Sequence, residues 1–352
     1  MTHDGRTMMH AYMPSRGRQQ QADRMKRREL ITLLGGAALV AARGARAAGE
    51  RTRRIGVLMS FAASDPEARL RVAALEKGLR ELGWVEGRNL RTEYRWADNA
   101  DVLHAYAAEL VGMAPDLIVA NSTPVMAAVQ KQRHTVPIVF TQVTDPVGQG
   151  LVPNLAHPGG TLTGFTTFEF SIGTKWLQTL KDIAPRITRV AIVFNPVTAP
   201  FADLFWRPIA AAAPSFSVQP TSAGVRDTDE LERIVEAFAR EPDGALLVLP
   251  DVSTVNHRGL IIALAARHRL PAIYPYRFFA ASGGLCSYGV DVADVFRRAA
   301  SYVDRILRGT RAGELPVQAP DKYEVVINLK TAKALGLDIP ATVLARADEV
   351  IE

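Results

Sequence analysis

The chain has 352 residues, a formal net charge of +6 and a single cysteine, Cys286. One cysteine excludes an internal disulfide and gives no basis for a cysteine-ligated metal cluster or a thiol redox centre. The excess positive charge lies in residues 1–47, which hold nine Lys and Arg but three Asp and Glu, leaving 33 residues of each sign in the rest. Beyond residue 47 the chain is therefore neutral, and its charge gives no argument for a nucleic-acid partner.

Residues 1–47 have the pattern of an export leader. The basic run MKRR at 25–28 precedes an apolar stretch at 30–42, which is shorter than the roughly 20 residues that span a bilayer. The run ARA at 45–47 supplies the small-x-small pattern of a cleavage site. We predict a signal peptide with Met25 as the initiator. The arginine pair fits a twin-arginine signal; an ordinary secretory signal and a retained amphipathic helix are the alternatives.

After the leader, short apolar runs alternate with segments of helical periodicity. The first half contains predicted strands at 54–59, 89–96, 116–120 and 137–140, and predicted helices at 66–83, 102–113 and 124–133. A glycine-rich passage, 148–164, separates this half from a second run of the same kind.

The second run contains predicted strands at 189–194, 244–249 and 271–274, and predicted helices at 175–183, 209–213, 230–240 and 260–268. Continuous apolar strands joined by helices indicate parallel sheets that are covered on both faces. The predicted fold class is therefore α/β, with two Rossmann-like lobes and a ligand cleft between them.

Ligands of open parallel sheets bind beyond the carboxyl ends of the strands, so the residues that follow each strand are the candidate site. In the first lobe, Asn121, Ser122 and Thr123 follow the third strand and lead into a helix that begins at Pro124. Free amides and hydroxyls at this point suit a carboxylate. Asp145 follows the fourth strand, and we predict that it binds a ligand ammonium, although Asp-Pro is also a common turn.

In the second lobe the residues that follow the strands are Asn195, Asp251, Tyr274 and Tyr276. Each has a structural alternative: Asn195 and Asp251 can cap the helices that follow, and the two tyrosines can pack between elements. We include all four as predicted ligand contacts.

Signatures of catalysis are missing from the sequence. There is no Gly-x-Ser-x-Gly elbow, no phosphate-binding loop ending in Gly-Lys-Ser/Thr, and no His-Glu-x-x-His. The seven histidines have no metal-ligand spacing. We therefore predict a protein without enzymatic activity, cofactor or metal.

Four stretches resemble the ABC transporter substrate-binding family typified by the tryptophan and aromatic amino-acid binding lipoproteins. They are GLRELGWVEGRN at 78–89, DPVG at 145–148, NLAHPGG at 154–160 and INLKTAKALGL at 327–337. The resemblance runs from about residue 53 to 352 and implies the type I periplasmic-binding-protein fold. It implies three chain crossings, near 164, 283–284 and 309–316. Lobe 1 would then comprise 53–163 and 285–308, and lobe 2 would comprise 164–284 and 309–352.

The same resemblance implies ligand contacts chiefly at Ser122, Thr123, Asp145, Asn195 and Tyr274. From the two-lobed architecture we predict closure on a small carboxylate-bearing ligand, such as an amino acid, and docking of the closed form on an ABC permease in the inner membrane; we expect the protein to be a monomer. Because no lipidated cysteine lies near residue 47, we expect a freely soluble periplasmic protein. A subunit that presents its ligand to a membrane receptor and, less favoured, a periplasmic enzyme are the alternatives.

Overall fold

The computed structural model describes residues 51–132, 135–320 and 322–352. The predicted leader, residues 1–47, lies outside these ranges. No helix within them combines the length and the apolar character that crossing a bilayer requires.

The first lobe contains a five-stranded parallel sheet in the order β2-β1-β3-β4-β5. Its strands are β1 (Arg53–Met59), β2 (Leu90–Trp96), β3 (Leu117–Asn121), β4 (Ile138–Val143) and β5 (Leu162–Thr166). Its helices are α1 (Pro66–Glu81), α2 (Ala100–Gly112) and α3 (Thr123–Gln130). Strand β3 is buried along its whole length, as expected for an inner strand that helices cover on both faces.

The second lobe contains a seven-stranded sheet in the order β12-β11-β10-β9-β8-β6-β7. Its strands are β6 (Arg189–Phe194), β7 (Gln219–Gly224), β8 (Gly244–Val248), β9 (Ala272–Tyr274), β10 (Cys286–Gly289), β11 (Glu324–Asn328) and β12 (Glu349–Ile351). All pairs are parallel except β10 with β11. Cys286 is fully buried in β10, and this burial raises the pKa of its thiol to about 12.

In the described part of the chain, eight α-helices belong to the second lobe, and a ninth that follows β10 returns to the first lobe. The eight are α4 (Ile172–Ile183), α5 (Ala202–Ala212), α6 (Thr228–Phe238), α7 (Val252–Asn256), α8 (Arg258–Arg267), α9 (Arg277–Ala281), α11 (Leu329–Leu335) and α12 (Ala341–Leu344). The ninth, α10 (Val292–Leu307), packs along α1. The two helices approach closely at Gly78, where an added Cβ would lie 2.7 Å from the Cβ of Ala300.

The first two crossings between the lobes occur later in the chain than the sequence predicted. Strand β5 continues to Thr166 and pairs with β4, so residues 164–166 still belong to the first sheet. Strand β10 pairs with β9 in the second sheet, so residues 286–289 belong to the second lobe and not to the first. Gly164 lies within β5, whereas β10 begins two residues after Gly284 and extends the second sheet.

The third crossing is also displaced. The amide N–H groups of Val317 and Gln318 donate to the carbonyl oxygens of Leu155 and Gly164, at 2.7 and 2.9 Å, and both acceptors lie in the first lobe. Residues 309–318 therefore pack on the first lobe, and the chain leaves it only after Gln318. The prediction that the second lobe resumes at residue 309 was wrong by about ten residues.

Candidate functional site

A cavity lies between the two lobes, where strands of both sheets end. It encloses about 450 Å³, including space that is open to solvent. The first lobe lines it with residues at the ends of β1, β3 and β4 and with one residue of α1. The second lobe lines it with residues that follow β6, β8 and β9. These are the sheet edges at which the sequence predicted a ligand.

The cavity brings together five of the eight predicted site residues. The five that line it are Asn121, Ser122, Thr123, Asp251 and Tyr276. The three that do not line it are Asp145, Asn195 and Tyr274. The carboxylate of Asp145 instead accepts a hydrogen bond from the N–H of Gly148 at 2.9 Å, closing its own turn.

Ser122 has a strained backbone and an unsatisfied hydroxyl. Its φ and ψ are 89° and 159°, in a region that is essentially confined to glycine. Its Oγ is buried and has no hydrogen-bond partner, whereas its N–H donates to the carbonyl of Thr141 at 2.9 Å. Strain and an unpartnered polar atom at one cavity residue are both features of a functional site.

Replacing Ser122 with glycine or with alanine should separate these two features. Both changes remove the hydroxyl, but only Ser122→Gly relieves the positive φ. We therefore expect Ser122→Gly to have a free energy of unfolding about 1–2 kcal/mol higher than that of Ser122→Ala. Urea unfolding of the ligand-free variants measures the difference. Equal stabilities would contradict the proposed strain.

A hydrogen-bonded network joins three elements of the first lobe beneath the cavity. The Oε1 atom of Gln142, on β4, accepts from Nδ2 of Asn121 at 2.9 Å and from Nε of Arg71 at 3.2 Å. Asn121 accepts in turn from the Oγ of Ser60 at 3.1 Å. Gln142 also has a positive φ, 56°. The network holds the side chains of β3, β4 and α1, together with Ser60 directly after β1, in fixed relative positions.

Arg71 is the cationic side chain of the cavity, and the sequence reasoning missed it. It is 1% exposed, and its guanidinium lies 4.7 Å from the centre of the Phe61 ring. Its Nη1 donates to the carbonyl and the carboxylate of Glu67, at 2.7 and 2.9 Å. Burial lowers the pKa of Arg71, while the charge of Glu67 opposes that shift. The group remains a cation because arginine is not deprotonated in proteins.

Asp251 is the anionic side chain of the cavity. It caps α7, and its Oδ1 accepts from the N–H of Ser253 at 3.0 Å and from the hydroxyl of Thr198. Its Oδ2 accepts from the N–H of Asn195 at 2.7 Å. Burial raises the pKa of Asp251, against the opposing effect of these hydrogen bonds. Asn195 thus positions Asp251 and does not itself line the cavity.

The two predicted tyrosines have different roles. Tyr274 ends β9 and stacks on Phe279, with ring centres 4.9 Å apart, in the core of the second lobe. Tyr276 lies beyond the strand, stacks on Phe278 and lines the cavity. Burial raises the pKa of Tyr276, so it presents a neutral phenol to the cavity.

The rest of the lining is mostly apolar. Phe61 comes from the first lobe, and Phe201, Val252 and Val255 come from the second. With Tyr276 they provide aromatic and aliphatic surface of the kind that encloses the apolar part of a small ligand.

Comparison with known proteins agrees with this architecture. The family described as ABC transporter substrate binding protein matches residues 55–351. A curated relative, a tyrosine-binding protein of Clostridioides difficile (strain R20291), is 26% identical over 262 residues, covering 74% of this chain and 75% of the relative.

Two solved structures are similar over nearly all of their length. A conserved domain protein from Vibrio cholerae O1 biovar El Tor has a TM-score of 0.79 at 29% identity, covering 85% of this chain and 100% of the other. An ABC domain in complex with L-Trp from Streptococcus pneumonia has a TM-score of 0.78 at 23% identity, with the same coverage. The predicted two-lobed α/β fold and the predicted family resemblance are confirmed. The chain belongs to the ABC transporter substrate-binding protein family, whose members bind a solute and are not enzymes.

Proposed function

We propose that this protein binds an amino acid with an aromatic side chain in the cavity between its lobes and delivers it to an ABC importer. The observation that carries the proposal is the pairing of opposite charges across the cavity. Among the described residues that line it, Arg71 is the one cation and Asp251 the one carboxylate, and they come from opposite lobes. A zwitterion would satisfy both, with its carboxylate on Arg71's lobe and its ammonium on Asp251's.

The apolar lining supports an aromatic side chain on that amino acid. Three aromatic residues, Phe61, Phe201 and Tyr276, contribute to the cavity wall. Aromatic rings pair favourably with one another in offset or edge-to-face arrangements beyond the effect of area alone. The names of two similar proteins point the same way, since one is a tyrosine-binding protein and the other was solved with L-Trp.

Closure of the lobes on the ligand is part of the proposal. Polar contacts already join the two sides beside the cavity: Arg258 of α8 donates to the carboxylate of Asp65 at 2.9 Å, and Asn256 donates to the carbonyl of Asp98 at 3.3 Å. Asp65 is the N-cap of α1, the helix that carries Arg71. A ligand that touches both lobes stabilises this arrangement over one in which they are separated.

Removing the Arg258–Asp65 ion pair should weaken binding modestly. The side chains are 19% and 13% exposed, so solvent screens the pair only in part, and we expect a contribution of about 1 kcal/mol, at the upper end of the range for exposed pairs. We expect Arg258→Ala to reduce ligand affinity about three- to tenfold, measured by calorimetry, because the closed arrangement loses a contact that the open one lacks. Arg267→Ala, at an exposed position on the same helix, is the matched control. Equal affinities of the two variants would argue against a closing role.

The proposed location is the periplasm, reached through the leader at 1–47, and the proposed partner of the monomeric protein is an inner-membrane permease. The leader lies outside the described residues, so this part rests on the sequence pattern. Expression of the full chain in its host and recovery, in the periplasmic fraction, of a product that lacks the leader would support it.

The decisive experiment identifies the ligand directly. Native mass spectrometry of the purified protein, followed by denaturation, would reveal a molecule carried through purification. Calorimetry with L-tyrosine, L-tryptophan and L-phenylalanine would then rank the candidates against L-alanine and glucose. Tighter binding of an aromatic amino acid supports the proposal; binding of glucose alone, or of no aromatic amino acid, would overturn it.

A further inference from the structure

We infer that Arg71 is the residue that binds the ligand's carboxylate, with the hydroxyl of Ser122 as a second donor. This assignment rests on the proposed function and gives it a specific anchor on α1, a helix that the strand-end argument does not consider. Both side chains line the cavity.

The hydrogen bonds of Arg71 account for only part of its guanidinium. A guanidinium has five N–H donors. The bond from Nε to Gln142 and the two bonds from Nη1 to Glu67 use three of them. The Nη2 atom is buried and has no partner. Two N–H donors of a buried cation are therefore left for a ligand.

An unpartnered charged donor is unfavourable in a purely structural arginine. Burying a polar group without a hydrogen bond costs on the order of 1–3 kcal/mol, and more when the group is charged. Five buried side-chain atoms lack partners in the described ranges, and two of them, Nη2 of Arg71 and Oγ of Ser122, belong to cavity residues. A carboxylate, which only accepts hydrogen bonds, would satisfy both atoms.

The guanidinium is held in place before any ligand arrives. Glu67 and Gln142 fix two of its nitrogens, and the rings of Phe61 and Phe278 lie 4.7 and 5.4 Å from its central carbon. The same Gln142 oxygen is bonded to Asn121, the neighbour of Ser122, so the two proposed donors belong to one rigid network. Such preorganisation reduces the ordering cost of binding.

The guanidinium of Arg71 lies between aromatic rings of the two lobes, which connects carboxylate binding with closure of the lobes. Phe61 belongs to the first lobe, and Phe278, on α9, belongs to the second. Arg71 therefore contacts both lobes in this arrangement. A carboxylate bound to Nη2 would lie beside this junction.

A cycle that alters both protein and ligand tests the assignment. L-tyrosine and tyramine differ by the carboxylate, as do L-tryptophan and tryptamine. For the unmodified protein, calorimetry should show that loss of the carboxylate weakens binding about 30-fold or more, the effect of removing one partner of a buried, hydrogen-bonded charge pair. For Arg71→Met, the affinity for the amino acid should fall by a similar factor, and the amino acid and its amine should then bind within about threefold of each other.

Controls separate an anchoring role from a structural one. Arg69→Met changes an exposed arginine on the same helix and should preserve the full carboxylate effect. Arg71→Lys keeps a cation but lacks the planar, paired N–H donors of a guanidinium, so it should retain part of the carboxylate effect. If Arg71→Met does not give a cooperative thermal transition, Arg71→Lys with the same ligand pairs provides the test.

The outcomes distinguish the anchor from the function. If the Arg71 variants weaken the binding of the amino acid and of the amine by the same factor, Arg71 has a structural role. The inference then fails while the proposed function stands. If the unmodified protein binds neither L-tyrosine nor L-tryptophan, the proposed function fails and the anchor fails with it. A carboxylate effect that disappears only in the Arg71 variants supports both.

Discussion

Asp251→Asn is expected to weaken the binding of L-tyrosine or L-tryptophan by about 30-fold or more, because a neutral amide replaces the buried carboxylate that we propose as the partner of the ligand ammonium. One oxygen of Asp251, Oδ2, accepts only the N–H of Asn195 and retains a lone pair for a further donor. The change also removes the acceptor for one of the two backbone amides bonded to Asp251, those of Asn195 and Ser253. We therefore expect the free energy of unfolding to fall by about 1–3 kcal/mol. Calorimetry and urea unfolding measure the two effects separately.

Asp145→Asn is the matched control for this experiment. Both residues are aspartates that follow strands, but the carboxylate of Asp145 bonds to Gly148 and does not line the cavity. We expect Asp145→Asn to leave ligand affinity unchanged. A second check uses 3-(4-hydroxyphenyl)propanoate, which lacks the amine: its affinity should be almost insensitive to Asp251→Asn. Loss of tyrosine affinity at Asp145 in place of Asp251 would restore the assignment made from the sequence.

The pH dependence of binding should carry the signature of Asp251. Burial raises the pKa of this carboxyl in the free protein. A ligand ammonium favours the ionised form and lowers the pKa in the complex, so protons compete with the ligand. Affinity should therefore fall on acidification, beginning at a higher pH than an exposed aspartate would give. The Asp251→Asn variant should lack this dependence.

The sheet edges predicted from the sequence line the cavity, but the sequence did not indicate which side chains at those edges face it. Tyr274 and Tyr276 are two residues apart, yet the first ends β9 in the core and the second lines the cavity. Asp145 lies two residues beyond the end of β4, where a positive φ of 52° turns its carboxylate back onto the loop. Such differences depend on backbone dihedrals at the strand ends, which a residue pattern does not specify.

Arg71 was missed because the argument considered only loops. A signal was nevertheless present in the sequence: Arg71 lies three residues after Ala68, four before Leu75 and eight before Leu79, all buried on the same face of α1. A cation on the apolar stripe of a helix is unusual unless it has buried partners. A search for charged residues on the core faces of helices would have found it.

The fold was predictable where strands are continuously apolar, and less so elsewhere. Strand β6 was predicted with its observed bounds, 189–194. Strand β7 was missed because it is a largely polar edge strand containing Pro220, which edge positions tolerate. Helix α5 was predicted from residue 209 but begins at Ala202, since Pro208 lies inside it and proline usually indicates a helix start.

Gly164→Ala is expected to be among the most destabilising single changes in the first lobe. We predict a loss of about 3–5 kcal/mol in the free energy of unfolding, corresponding to a decrease of about 10 °C in melting temperature. Gly164 lies inside β5 with φ at +154°, and a Cβ there would lie 2.1 Å from the carbonyl oxygen of Phe140 and 2.6 Å from its ring. Neither contact can be relieved without moving β5 away from β4, the strand to which it is hydrogen-bonded.

The same variant distinguishes packing from hinge motion. The sequence predicted a lobe crossing at Gly164, and a hinge glycine would alter the ligand affinity when it is replaced while leaving the stability nearly intact. The structure places this glycine within a paired strand, so we expect the opposite: a large loss of stability, with affinity within about threefold of normal at temperatures where the variant is folded. Gly259→Ala, on the open side of α8, is the control, because no atom lies within 4 Å of the added Cβ and stability should not decrease. A Gly164→Ala protein with normal stability and altered ligand affinity would instead place the hinge in β5. That result would mean that the residue moves when the lobes close and that the added methyl group is accommodated in the sheet.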